Sequence, residues 1–379
     1  MLQRIYRTDQ AKYRGIIMGL SETEKYLTRK NIKAGLTSTL IADRALARGI
    51  EVFPDAQRRL TLKVGSKYVW FDGSLSNINS LLARRCVRYK DVTSRLLQNY
   101  GINAATNTAF SRDQLRQAWA WAETQTPVVV KPPNDGMGDS VHIGIVDFAE
   151  FERAFTAVAA VSESVLVEQL IEGVEHRVLL IHGKVAAAAR RIPANVIGDG
   201  HSTIAELVDE KNRLRTESAN PVHFQIPIDG TVVRKLATQG HELASVPDRD
   251  ARIWLRSNSN VHSGGDGVDA TDELRPEEIE MAEKTAQAIP GLRISGLDLL
   301  LPREGQGITP HVLEINGTPM ITGHHYPWFG KSRDVAGVLV DAMFDNQRTQ
   351  DPPPPQKPRS RASRAIRRQL RPLRPALRR

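Results

Sequence analysis

Residues 294–302 read ISGLDLLLP, a stretch too apolar to face water, yet Asp298 sits at its centre. Burying an unpaired carboxylate is expensive, so any fold of this chain must bring Asp298 a cation, an arginine or several hydrogen bonds. A second acid-bearing strand follows at 312–316, VLEIN. Residues two apart in a strand share a face, so Glu314 and Asn316 point the same way. If the two strands are antiparallel neighbours, Asp298, Glu314 and Asn316 converge as three hard oxygen donors. Such a set suits Mg²⁺, which takes few protein ligands and fills its remaining positions with water and phosphate oxygens. The plainer alternatives are an Asp298–Arg293 ion pair and a polar strand end facing water.

Phosphates need cations and a close-fitting backbone. Lys131 ends the apolar run VVVK, and 134-NDGMGDS-140 follows. Gly136 and Gly138 let backbone N–H groups approach phosphate oxygens, although the spacing matches neither a P-loop nor GxGxxG. In 165-VLVEQLIEG-173, Glu168 and Gln169 lead into a turn, with Glu175 and Arg177 beyond it. That pattern suits a hinge that holds a purine through backbone groups, with an acid for ribose hydroxyls; an ordinary strand edge reads the same way. The stretch 254-WLRSNSNVHSGGDGVDATD-272 places Arg256, Asn258 and Asn260 at strand spacing. A row of that kind binds a carboxylate or a phosphoryl group. The alternative is a long polar loop with Arg256 paired to Asp266 or Asp269.

The remaining pattern predicts α+β subdomains around mixed sheets. Helices are expected at 37–48, 90–100, 111–122, 147–160, 202–215, 276–289 and 332–344, and strands at 51–53, within 60–71, within 126–132, and at 141–146 and 165–170. EHRVLLIHGKVAAAARRI reads as a hairpin turning at His182-Gly183, and an extended stretch is expected to run on to 256. Neither repeats nor an apolar run of about 18 residues occurs, so no membrane-spanning helix is expected. The N-terminus lacks the apolar core of a secretory signal. A single cysteine, Cys86, rules out an intrachain disulfide framework and points to a reducing cytoplasm. The net charge of +9 is concentrated at one end: residues 352–379 hold ten Lys or Arg and no acid, and without them the chain goes from +9 to −1. Arg-rich runs bind polyanions, so an acidic partner is expected for this tail.

The order of these motifs resembles the ATP-grasp superfamily of carboxylate–amine ligases. The resemblance is to the ATP-grasp part of bifunctional glutamate–cysteine ligase/glutathione synthetase and to cyanophycin synthetase. It is carried by RIPANVIGDGHSTIAELVDEKN (191–212), WLRSNSNVHSGGDGVDATDE (254–273), SGLDLLLP and VLEINGTPMITGHHYP (312–327). It implies an ATP-grasp domain over 86–345 with a lid at about 125–185 and nucleotide between the lid and the C-terminal subdomain; outside it, an N-terminal α/β region is expected over 1–85 and, from composition, a Pro/Arg-rich disordered tail over 346–379. By position, Lys90 and Lys131 then contact nucleotide phosphates under a loop holding Gly136 and Gly138. Glu168 and Leu170 form the adenine hinge, and Glu175 holds the ribose. Asp298, Glu314 and Asn316 ligate Mg²⁺, with Mn²⁺ as a substitute. Arg256, Asn258 and Arg191 flank the reacting acyl phosphate. Ser140 stands where the family's loop has its second glycine. The implied activity joins amino acids or peptides through an amide at the expense of ATP. The oligomeric state stays open, a homodimer included. Two other classes fit the residues less fully, a nucleic-acid- or partner-binding relative and an ATP-grasp kinase. His324 and His325 follow the acidic strand as hydrogen-bonding residues rather than a zinc pair.

Overall fold

The computed structural model describes residues 12–133, 140–303 and 309–348. Strands β1 (Glu51–Pro54), β2 (Leu60–Val64), β3 (Lys67–Asp72) and β4 (Leu75–Ser76) form an antiparallel meander. A second sheet holds β5 (Asn107–Ser111), β6 (Val128–Lys131), β7 (His142–Ile145) and β8 (Ser164–Gln169) in the order β5-β8-β6-β7. Beyond it come β9 (Val174–Ile181) and β10 (Lys184–Ile192), then β11 (Asn195–Ile197) and β12 (Arg252–Trp254), which pair as a two-stranded ribbon. The chain continues through β13 (Asp266–Asp269), β14 (Ile294–Leu301) and β15 (His311–Asn316). The third sheet runs β13-β10-β9-β14-β15. Ladders between the described strands are antiparallel, and parallel pairing is confined to two isolated bridges, Ala104↔Val312 and Val268↔Phe329. No helix among the described residues is long and apolar enough to cross a membrane.

The β9–β10 hairpin turns on two residues with positive φ, His182 at 50° and Gly183 at 74°. Two left-handed residues in a row make the tight turn whose twist matches its flanking strands, and glycine takes the second place without a Cβ clash. The third sheet buries Val178, Leu180, Ala188, Leu297, Leu299, Leu301, Val312 and Ile315 against Ala83, Leu97, Ala282 and Ala286 of three helices, Leu81–Arg88, Lys90–Asn99 and Pro276–Gln287. Each fully buried Leu or Val there contributes about 1.5–3 kcal/mol. With its apolar face covered by helices, the sheet's other face carries the polar residues.

A bulge makes that division possible. Asp298 pairs with Glu314, but Leu299 pairs with Val312, so Leu313 is extra. Val312 and Ile315, three residues apart, therefore both reach the core. Strict alternation would have sent one of them outward.

The expected extended stretch up to 256 is different. It contains the helix Gly230–Ala237, and its described strand is limited to Arg252–Trp254. Asp229 accepts hydrogen bonds from Thr231 N and Val232 N, and this cap outweighs the strand preference of Val232 and Val233. The helices Lys12–Arg29 and Leu81–Arg88 also went unread in the sequence.

Candidate active site

Three neighbouring strands carry a charged row on the polar face of the third sheet. Arg177 on β9, Asp298 on β14 and Glu314 on β15 stand directly across from one another. Arg177 grips Asp298 with two parallel hydrogen bonds, Nε to Oδ1 and Nη2 to Oδ2, the latter at 2.8 Å. Arg191 on β10 reaches the same carboxylate at 3.3 Å and Glu175 at 2.9 Å. Ser259 Oγ donates to the other oxygen of Glu175. Lys90, the first residue of its helix, lies 2.8 Å from Glu314. The arginine owed to Asp298 is thus Arg177 rather than Arg293, because the β9–β14 register places Arg177 opposite the acid.

The electrostatics follow from burial and pairing. Burial pushes the Asp298 carboxyl up, but the charges of Arg177 and Arg191 outweigh it and hold Asp298 below its ordinary value. For Glu175 burial prevails, helped by the nearby Asp298 charge, and its carboxyl is raised despite Arg191. Arg177 is desolvated too, yet the Asp298 charge and its hydrogen bonds raise it above the usual guanidinium range.

Arg177 also explains a glycine. A Cβ on Gly296 would lie 2.9 Å from Arg177 Cδ and 3.1 Å from Pro319 Cβ. Arg177 crosses β14 where that strand lacks a side chain, and Pro319 packs on the same face.

A second polar row crosses the β5-β8-β6-β7 sheet. Asn107 and Glu168 are paired across β5 and β8. Lys131 Nζ lies 2.6 Å from Glu168 Oε1, and both side chains are buried. Asn107 Nδ2 donates to Glu168 Oε2 at 3.3 Å and to Ser94 Oγ at 3.0 Å. Leu170 follows at the end of β8, where its N–H donates to Pro127 O at 2.9 Å and is spent there. Gly136 and Gly138 lie outside the described residues.

Arg256, Asn258 and Asn260 do not form a strand row. β12 ends at Trp254, and the chain turns through these residues into a short 3₁₀ turn, Val261–Ser263, with Asn260 as its cap. Arg256 is 6% exposed and pairs with Asp229, not with Asp266 or Asp269. Those two acids are already occupied, Asp266 by Lys211 and Arg215 and Asp269 by Arg333. Asn258 Oδ1 accepts from Ser263 Oγ at 2.9 Å. The same loop reaches the charged row through Ser259 and Glu175.

The sequence names Arg177 only within the hinge pattern, with no role of its own, and does not point to Ser259. Arg177 was visible as the alternate residue after Glu175 on one strand; Ser259 carried no signal, since its contact depends on how the loop folds back.

Asp298, Glu314 and Asn316 offer two carboxylates and an amide, and among the described residues no three or more His, Cys, Asp or Glu are arranged so as to hold a metal ion by themselves. Few, hard oxygen donors fit Mg²⁺, and the facing register of Asp298 and Glu314 puts both on one face. Asn316 Oδ1 accepts from Thr318 N at 2.8 Å, closing the turn out of β15.

No protein-family model matches the chain. The fold is that of the ATP-grasp ligases: a bifunctional glutathione synthetase from Pasteurella multocida superposes with a TM-score of 0.61 at 27% identity, covering 84% of this chain and 44% of that one. The chain's homologues include a cyanophycin synthetase from Trichormus variabilis, 33% identical over 330 residues, and a bifunctional glutathione biosynthesis protein from Mannheimia succiniciproducens, 31% identical over 322 residues. The matches cover 84% and 81% of this chain but 36% and 42% of those proteins, so the chain spans about two fifths of the relatives' length.

Proposed function

We propose that the chain is an ATP-dependent carboxylate–amine ligase, working in the cytoplasm on amino acids or peptides. The observation that carries this reading is the facing pair Asp298 and Glu314, set among Arg177, Arg191 and Lys90 on one polar sheet face.

A carboxylate is a poor electrophile, and activation removes that difficulty. One substrate carboxylate oxygen attacks the γ-phosphorus of ATP, giving an acyl phosphate and ADP. The amine then attacks the acyl carbon, phosphate leaves, and loss of a proton from nitrogen gives the amide. Neither step needs a covalent enzyme nucleophile. Positioning and charge stabilisation supply the rate.

Lys90 and Lys131 would offset phosphate charge, with Gly136 and Gly138 against the phosphates. Glu168 and Leu170 would line the base and Glu175 the ribose. Arg191, Arg256 and Asn258 would hold the acyl phosphate and the oxyanion formed from it, with Arg177 as a further cation beside them. Asp298, Glu314 and Asn316 would hold Mg²⁺ or Mn²⁺, which when bound neutralises phosphate oxygens. The basic tail remains outside this chemistry, and an acidic partner is its proposed ligand.

The test is an ADP-release screen of amino acids and dipeptides supplied in pairs with ATP and Mg²⁺, with products identified by mass. The expected result is ADP release that needs both partners and yields a product lighter by one water than their sum. Phosphorylated product with no amide would instead identify a kinase.

A further inference from the structure

Two adjacent histidines end the short helix Thr322–His325 in the loop that leaves β15. Both are buried, His324 at 4% exposure and His325 at 3%. Their surroundings differ. His325 Nε2 accepts from Ala336 N at 3.1 Å, and its carbonyl accepts from Ser332 Oγ at 2.6 Å. His325 is therefore built into the turn that opens the helix Val335–Arg348.

The His324 ring makes no hydrogen bond to the described residues, and neither of its nitrogens is among the fully enclosed unsatisfied atoms. A ring so deeply set, whose nitrogens are neither bonded to nor sealed by the described residues, keeps an edge available to a ligand. The flanking charges identify where it lies. Arg177 and Asp269 act on the ring, and Pro319, at the start of the same loop, packs beside Arg177 over Gly296. The ring thus lies beside Arg177, at the polar face that carries the charged row. Burial lowers the ring's pKa to about 3, which leaves it an uncharged imidazole.

Arg177, the cation acting on the ring, and Arg191 and Lys90 further along the same row donate hydrogen bonds and accept none, and the carboxylates of the row are already held by them. These cations attract anions and repel an ammonium. An amine that is to attack an acyl carbon must keep its lone pair free and its N–H groups engaged by an acceptor. An imidazole nitrogen supplies that acceptor without adding charge.

We propose that His324 is a substrate-contact residue that accepts a hydrogen bond from the amine nitrogen of the acceptor substrate and so sets the enzyme's selectivity for that amine. This rests on the ligase reading above.

Hydroxylamine separates the two halves of such a reaction, because it captures an activated carboxylate without needing the acceptor site. The full chain and its His324→Ala and His324→Gln variants are assayed with ATP, Mg²⁺ and the L-amino acids as carboxylates. Hydroxylamine serves as the nucleophile in one arm, and amino acids and dipeptides as amines in the other. His324→Ala is expected to retain hydroxamate formation and to raise KM for the amine about 10-fold to 100-fold, the usual cost of a lost hydrogen bond in a buried site. His324→Gln, which keeps an acceptor, is expected to recover part of that loss. His325→Ala, the comparison variant, is expected to lower the melting temperature without splitting the two arms. Equal losses in both arms for His324→Ala, or no loss in either, would overturn the amine contact. Wild-type hydroxamate formation with no amine of the panel accepted would also overturn it. Absence of wild-type hydroxamate with every carboxylate would bring down the ligase reading, and this inference with it.

Discussion

Lys90 Nζ lies 2.8 Å from Glu314 Oε2, tying the start of the helix Lys90–Asn99 to the strand that ends in the site. One turn along that helix, Ser94 Oγ accepts from Asn107, which in turn holds Glu168 beside Lys131. A single helix therefore sets two lysines from different parts of the sequence against two different sheets.

The Lys90–Glu314 pair is partly exposed, with side chains 14% and 30% accessible. Pairs of that kind contribute about 0–1 kcal/mol. Glu314→Gln should therefore melt within a few degrees of wild type, while Mg²⁺-dependent ADP release falls at least ~10²-fold through loss of a phosphate-side charge. Near-normal turnover at saturating Mg²⁺ would remove Glu314 from the metal site.

Gly296→Ala places a methyl group where Arg177 Cδ and Pro319 Cβ already lie. Arg177 would have to shift away from Asp298. A displacement of about 1 Å can cost ~10²-fold in rate. The expected phenotype is a kcat loss of that order with nucleotide affinity largely kept, read by steady-state kinetics and by calorimetry with Mg²⁺–ADP. Full activity would show that Arg177 tolerates the move.

Arg256 has a fork of donors that lysine cannot reproduce. Arg256→Lys keeps the charge facing Asp229, so amide formation should fall ~10²–10³-fold, the usual cost of one oxyanion donor, with ATP binding little changed. Asp229→Asn is the comparison. It weakens the same pair and the cap of helix Gly230–Ala237, where cap loss costs about 0.5–2 kcal/mol. If both variants lose stability and neither loses rate once folded, Arg256 is a structural partner of Asp229.

Four buried histidines set a pH limit on stability. Burial lowers His223 and His324 to about 3 and His176 and His325 to about 4. In the unfolded chain each titrates near 6.5, so below that pH the unfolded state binds more protons and stability falls as pH falls toward 4. Above about pH 7 these groups are neutral in both states and contribute no slope. Urea midpoints at pH 7.5, 6 and 5 should decline over the lower two steps, and His223→Gln should flatten the decline. Equal midpoints at all three values would contradict the neutral, buried state of these rings.

Elements whose apolar spacing matched their final burial were legible in the sequence, including the β9–β10 hairpin and the acidic strands β14 and β15. The facing of Asp298 and Glu314 followed from two short patterns. Their counter-charges did not. Arg177 and Lys90 lie far away in sequence, and the strand register and one helix bring them in. Arg256 was misread as part of a strand because alternating polar residues look the same in a strand and in a loop; the partner Asp229, 27 positions upstream, arrives through a helix cap that β-branched valines concealed.

The extra residue at Leu313 has a consequence for how such a chain can diversify. It puts the strand half a period out of phase between its two faces, so that Val312 and Ile315 answer to the core while Glu314 and Asn316 answer to the site. Substitutions that tune packing and substitutions that tune chemistry then fall on separate positions of one short strand. New substrates can be explored on one face while the melting temperature is defended on the other.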